Sequence, residues 1–231
     1  MNNLKTIITT ILLIFFPILS YCQYPAIIDD KDGFTNLRKE PDKNGEVIYK
    51  IKEYEIFFVN GLENDSTVWE EVQVPLNKFT ITEEKSCTSV STLKGYIHKS
   101  RLKYLHELEN YNGDDFSFKY IIADFNQDKH IISRDADKFV EKIDGRFAFG
   151  IDGYLPHKEV IDLEIIINEN KIFTHRALYE DLFECRNKFD TYKVNNTFIV
   201  DHFNSDGAGA YSITWVINKE GIQQRIIFNC F

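Results

Sequence analysis

The sequence predicts a mainly β protein in two parts. The first is a small barrel or sandwich over residues 26–105, and the second is an antiparallel β-rich domain over residues 114–231 with one or two short helices. Three observations predict this. From Gly33 to Leu102 short apolar runs are broken by turn residues roughly every ten positions, the spacing of small all-β folds. From Asp114 onward, strand-like runs follow one another through tight polar turns, which is the pattern of successive hairpins. Hydrophobic residues make up 43% of the chain and aromatics 14%, with only five prolines, enough apolar side chain to build packed cores.

The chain opens with Lys5, an almost wholly apolar run from Ile7 to Leu19, and then Ser20-Tyr21-Cys22-Gln23. That is the charged, apolar and cleavage-site layout of a secretory signal peptide. The apolar core holds only about a dozen residues and contains Pro17, short for a membrane-spanning helix. Residues 1–22 are therefore expected to be removed between Cys22 and Gln23, leaving an exported protein, periplasmic or secreted. Two alternatives stay open: a lipoprotein in which Cys22 is lipidated and retained, and an uncleaved anchor. Leu19-Ser20 suits lipidation, whereas bulky Tyr21 before the cysteine does not. No other segment approaches membrane length, so no stable insertion is expected once the leader is gone.

Five blocks then follow in order: Gly33-Phe34-Thr35-Asn36-Leu37-Arg38-Lys39-Glu40-Pro41, Val47 to Lys52, Ile56 to Val59, Trp69-Glu70-Glu71-Val72, and Gly95-Tyr96-Ile97-His98-Lys99-Ser100-Arg101-Leu102. In this order they resemble the bacterial SH3 domain (SH3b), with its N-[LV]-R-x-x-P, I-x-x-[IL], W-x-x-V and closing G-[YW]-[IV] pattern. The resemblance covers about a third of the chain. It implies an SH3-like barrel and a place in the cell envelope. The closing block is also similar to the G-Y-[IV]-P-S-N-Y segment of eukaryotic SH3 domains. There a proline and a second tyrosine help to form the polyproline groove, and here those positions are His98 and Arg101. Proline-rich peptides are accordingly not the expected ligands.

Strand parity singles out candidate binding residues in this half. Val68, Val72 and Val74 share one face and Trp69 takes the other, while Ile97 is separated from Tyr96 and His98 in the same way. Trp69, Tyr96, His98 and Arg101 thus form a predicted polar-aromatic patch, in which Arg101 offers a fork for a carboxylate. The stretch from Gln73 to Lys94, rich in Ser, Thr and Glu towards its end, is longer than the fold requires.

Lys103 to Gly113 is read as the linker, closed by the breaker Asn112-Gly113. In the second half Phe116 to Phe125 and His130 to Ser133 flank a polar turn. Glu159 to Asn168 is a strong strand turning into Lys171-Ile172-Phe173. Tyr211, Ile213, Trp215 and Ile217 alternate with Ser212, Thr214 and Val216 before Ile222 to Phe228. One helix is predicted over 176–183, with Leu178, Leu182 and Phe183 on one face, and a shorter one over 135–140. No family is recognised for this half.

Three constellations there bear on chemistry. Asp124 to Asp128 begins like a calcium loop, but Lys129 stands where the sharp turn needs glycine, and a polar turn is the better account. The loop Asn204 to Ala210 is a second candidate site, with Asp206, Gly207 and Gly209 able to offer turn amides to an anion or carbonyl. Cys185 with His202 or His175 is arithmetically a cysteine-hydrolase pair, yet the nucleophile motif of the peptidases often joined to SH3b is absent, as are zinc-site spacings. Cys185 is instead paired in expectation with Cys230 as a disulfide or left as a small buried thiol, with Cys87 over. No catalytic residue, metal or cofactor is assigned.

Charge narrows the partners. Residues 26–105 carry 14 acids against 12 bases, and residues 106–231 carry 22 against 14. An acidic second half gives nucleic acid no favourable field. The sequence therefore predicts an exported, non-catalytic envelope protein that binds a cell-wall peptide or another envelope protein. The alternatives are a divergent envelope hydrolase with its site in the C-terminal domain, and an inhibitor or immunity-type protein.

Overall fold

The computed structural model describes residues 23–60, 67–81 and 91–228. The expected leader, Cys22, Cys87, Cys230 and part of the long insertion lie outside them. The chain is mainly β, in several antiparallel sheets.

The N-terminal half forms one seven-stranded sheet from β1 (Gln23–Ile28), β2 (Phe34–Arg38), β3 (Val47–Lys52), β4 (Phe57–Asn60), β5 (Trp69–Pro75), β6 (Thr92–His98) and β7 (Leu102–Tyr104). The order is β3-β2-β6-β5-β4-β1-β7, so the sheet curls without closing into the expected barrel: β3 and β7 stay at its two ends. The contact between β2 and β6 is a single pair, Arg38 with Tyr96. Gly95 makes it possible, because a Cβ there would lie 2.6 Å from the Arg38 carbonyl oxygen and 2.8 Å from Leu37 Cγ. Inside the curl Leu37, Ile51, Phe57, Val72, Val74 and Ile97 are buried. Val68 leaves that face and is 59% exposed, because it precedes β5 rather than joining it.

The second half holds three sheets. A small one is built from β9 (Ile132–Arg134), β10 (Val140–Ile143) and β11 (Arg146–Phe147). A second joins β8 (Phe116–Asp124), β12 (Lys158–Ile167) and β13 (Asn170–Ile172). The third is a four-stranded meander of β14 (Asp190–Val194), β15 (Thr197–Asn204), β16 (Tyr211–Asn218) and β17 (Gly221–Phe228). Two of the hairpins read from the sequence are present, β12 with β13 and β16 with β17; across the polar turn at Asn126 to Lys129 the chain instead changes sheet, β8 pairing with β12 and β9 with β10, and the helices are absent. Residues 176–183 make a single 3-10 turn at Arg176–Leu178, after which Leu182 and Phe183 bridge to Phe149 and Glu159. Residues 135–140 form a turn leading into β10, with Asp135 Oδ1 accepting from the amides of Asp137 and Phe139. The apolar spacing that mimics a helix in 176–183 serves a looping strand-edge segment whose Leu182 and Phe183 are both buried.

The meander is a middle layer. Phe198, Val200, Ile213, Trp215, Ile217 and Ile227 face the β8–β12 sheet. Their neighbours of opposite parity, Tyr192, Ile199, Val216, Ile226 and Phe228, pack against Ile27, Ile56, Phe58 and Leu105 of the N-terminal half. Both edges of this layer are covered. The linker pairs at β14, where the Tyr111 amide donates to the Thr191 carbonyl at 2.7 Å. The insertion covers β17, where the Thr80 amide donates to the Arg225 carbonyl at 2.7 Å and the Arg225 amide donates to Lys78 at 2.9 Å. Covered edges cannot template pairing with other chains. Among the described residues no helix is long and apolar enough to cross a membrane.

Candidate functional site

An open cleft of about 440 Å³ lies on the N-terminal half, lined by residues from β2, the turn before it, and the ends of β5 and β6. Trp69 opens β5 and His98 closes β6, and they are cross-strand partners with ring centroids 5.6 Å apart, edge to face. His98 also caps the 3-10 turn Lys99–Arg101, its Nδ1 accepting from the Ser100 amide at 3.3 Å. That turn swings Arg101 into the cleft, where its guanidinium pairs with Asp30. The Asp30 side chain is 5% exposed and also accepts from the Asp32 amide at 3.1 Å, so it is a fixed anchor for Arg101. Arg38 Nη1 donates to the Gly45 carbonyl at 2.7 Å and ties down the loop that carries Lys43. Asn36 lines the same cleft, with an Oδ1 that is buried and has no partner among the described residues.

Three of the four predicted patch residues, Trp69, His98 and Arg101, thus line one cleft. Tyr96 does not: its hydroxyl donates to Glu71 Oε2 at 3.2 Å, and the Glu71 charge holds its pKa up. The fork of Arg101 is half committed to Asp30, and Arg101 and Lys43 are the two basic side chains beside Arg38 that line the cleft. Asp30, Asp32, Asn36, Arg38 and Lys43 were not singled out from sequence. The signal for two of them lay in the Asn36-Leu37-Arg38 block, whose polar side chains share the face opposite buried Leu37.

A second cavity, about 430 Å³, lies in the C-terminal half between residues 150–158, the turn at 184–186 and the turn at Ser205-Asp206. Of the loop expected to form a site, Asp206 lines it. Gly209 is buried against the Gly150-Ile151 backbone, and Gly207 is not among the lining residues. The 3-10 turn there, Gly207–Gly209, has its amides at Gly209 and Ala210 bonded to Asp206 and Gly207 carbonyls, which removes them as an anion nest.

The cysteine and histidine set is held in inert states. Burial pushes the Cys185 thiol up to about 12, and its Sγ lies 3.2 Å from the Tyr211 hydroxyl. Burial drives His202 down to about 4, with the Arg186 charge adding to it. Its ring packs on Tyr120 and Phe189, and Nδ1 has no partner among the described residues. A protonated thiol is not a nucleophile, and this pair lacks the mutual hydrogen bond that activation needs. Cys230, the expected disulfide partner, lies outside the described residues. His175 only caps the next turn, accepting from the Ala177 amide at 3.1 Å. Asp124 pairs with Lys158, and Asn126 Oδ1 accepts from the Asp128 amide at 3.1 Å, the bonding of a polar turn. Among the described residues no group of three or more His, Cys, Asp or Glu side chains is arranged to hold a metal ion.

No family model, no curated protein and no solved structure matches the chain.

Proposed function

We propose that this is an exported, non-catalytic binding protein of the bacterial cell envelope. In this reading the N-terminal half is an SH3b-type module that takes a cell-wall peptide or a segment of another envelope protein in its cleft. The observation that carries the reading is the convergence of Trp69, His98 and Arg101 on one open cleft. An aromatic face beside mixed charges is suited to a short polar peptide: the indole supplies apolar contact, Arg101 and Lys43 meet carboxylates, and Asp32 meets an ammonium group. The acidic second half gives no support to nucleic acid as a partner.

The test replaces Trp69 with Ala and Arg101 with Ala, and measures thermal stability alongside binding to purified cell-wall fragments. Trp69→Ala should remain folded and lose about 2 kcal/mol or more of binding. Arg101→Ala should lose binding to fragments with free carboxylates and retain binding to amidated ones. If both folded variants bind like the parent, the cleft is not the site. Export is checked on the same preparation: the mature chain should begin at Gln23, and a lipid-modified Cys22 would make it a membrane-anchored form.

A further inference from the structure

We propose that the C-terminal cavity is a second binding site, independent of the cleft, for a short peptide that carries a free ammonium and a free carboxylate. The cavity is built from strained, closely fitted backbone. Gly150 has φ of +101°, and a Cβ there would lie 2.1 Å from the Phe183 carbonyl oxygen. Ser205 donates from Oγ to the Gly150 carbonyl at 2.8 Å. Two non-glycine wall residues, Glu184 and Ser205, hold φ at +52° and +62°. Such conformations persist where surrounding contacts over-determine them, and they cluster at binding sites. The volume, about 430 Å³, falls within the range of small-ligand pockets.

The charges select the ligand. Two of the lining charges are spent within the protein: Lys158 pairs with Asp124, and Glu184 accepts from the backbone amides of His157 and Lys158. Three are without a partner among the described residues: the Arg186 guanidinium and the carboxylates of Asp152 and Asp206. One free fork with two free carboxylates in a single cavity disfavours phosphate and other simple anions, and it suits a zwitterion. Tyr154 adds an aromatic wall that is 70% exposed and braced edge-on by Phe139 at 5.9 Å between ring centroids. An exposed ring beside carboxylates favours an ammonium group, and Ile151 and Leu155 supply apolar contact for a peptide backbone.

The test titrates the full mature chain with trialanine, N-acetyl-trialanine and trialanine amide by calorimetry. Trialanine should bind, and blocking either terminus should weaken it about tenfold or more. Arg186→Gln should abolish the preference for the free carboxylate, and Asp206→Asn should reduce the preference for the free ammonium. Both positions are exposed, so both variants should keep the parent melting temperature. Because the N-terminal cleft is itself read as a peptide site, the titration is repeated on Trp69→Ala, where trialanine binding should persist and adding Arg186→Gln should then remove its preference for the free carboxylate. The proposal is overturned if trialanine does not bind the folded protein, if the blocked peptides bind equally well, or if Trp69→Ala removes the binding.

Discussion

Asp181 and Arg225 form an ion pair with Oδ1 and Nη2 2.6 Å apart and neither side chain exposed. Burial pushes the Asp181 carboxyl up, and the Arg225 guanidinium opposes that shift. Arg225 also donates from Nη1 to the carbonyl of Thr80 in the insertion, and its guanidinium lies 5.7 Å from the Trp215 ring. One cation therefore joins the looping 179–183 segment, the meander and the N-terminal half. The pair is not fully satisfied: Asp181 Oδ2 and Arg225 Nε are buried without partners among the described residues.

The first prediction concerns that pair. Removing one partner strands the other charge in the core, so Arg225→Met should cost about 3–5 kcal/mol. Asp181→Leu with Arg225→Met removes both charges and should cost less than the sum of the single changes. Urea unfolding of the two single variants and the double variant measures it. Additive costs would mean that the two side chains are not coupled.

A second prediction follows from the layer between the halves. The Phe58 ring lies 4.8 Å from that of Phe228, and Phe58 is 2% exposed. Phe58→Ala should destabilise the protein by about 3–5 kcal/mol. Because the apolar contact is shared, unfolding should stay a single transition, with Trp69 and Trp215 reporting one midpoint before and after the change. An isolated fragment of residues 26–105 would expose Ile27, Ile56, Phe58 and Leu105, and it should melt below the full chain. Two transitions, with only the Trp69 signal shifted, would show that the halves fold separately.

The third prediction is a hidden pH dependence. Burial raises Asp201 from 3.8 to about 6, with its hydrogen bond from Thr214 opposing the rise. Its stabilising contribution is complete below 3.8 and is lost as pH rises through 6. His202 is lowered from 6.5 to about 4, so its contribution is complete above 6.5 and is lost as pH falls through 4. Between those limits the folded state holds the Asp201 proton and the unfolded state holds the His202 proton, so the two effects cancel. His202→Gln should therefore gain stability over the parent as pH falls from 6.5 to 4, by about 3 kcal/mol. Asp201→Asn should lose a similar amount over the same range. Denaturant titrations at pH 4, 5, 6 and 7 provide the comparison, and a flat difference for either variant would refute the assignment.

Local periodicity carried much of the fold in advance. The strands at Trp69–Pro75 and Thr92–His98 follow from alternation, with Val72, Val74 and Ile97 inside and Trp69 and His98 outside. The polar turn at Asn126 to Lys129 and the hairpin through Asn218 to Gly221 follow from residue types that favour tight turns. The uninterrupted apolar runs Phe198-Ile199-Val200 and Ile226-Ile227-Phe228 lie in strands buried on both faces, and burial of the second face was not read from the sequence.

What covers that face is a long-range matter. Residues 176–183 carry a helical spacing of leucines, but a 3-10 turn and strand bridges win because Leu182 and Phe183 reach the core from a looping path. Tyr96 looked equivalent to Trp69 by parity, and only the cross-strand position of Glu71 turned its hydroxyl away from the cleft. Neither Arg225 nor Thr80 stood out in the chain. Their bond spans 145 positions, and no local pattern records which distant carbonyl a buried guanidinium will find. The sequence by itself determined strand content, turn positions and which side of each strand is apolar, because these depend on neighbours within a few residues. The tertiary structure alone decided the stacking of the three layers, the covering of the meander's edges and the gathering of Arg186, Asp152 and Asp206 round one cavity, because these depend on contacts between segments far apart in the chain.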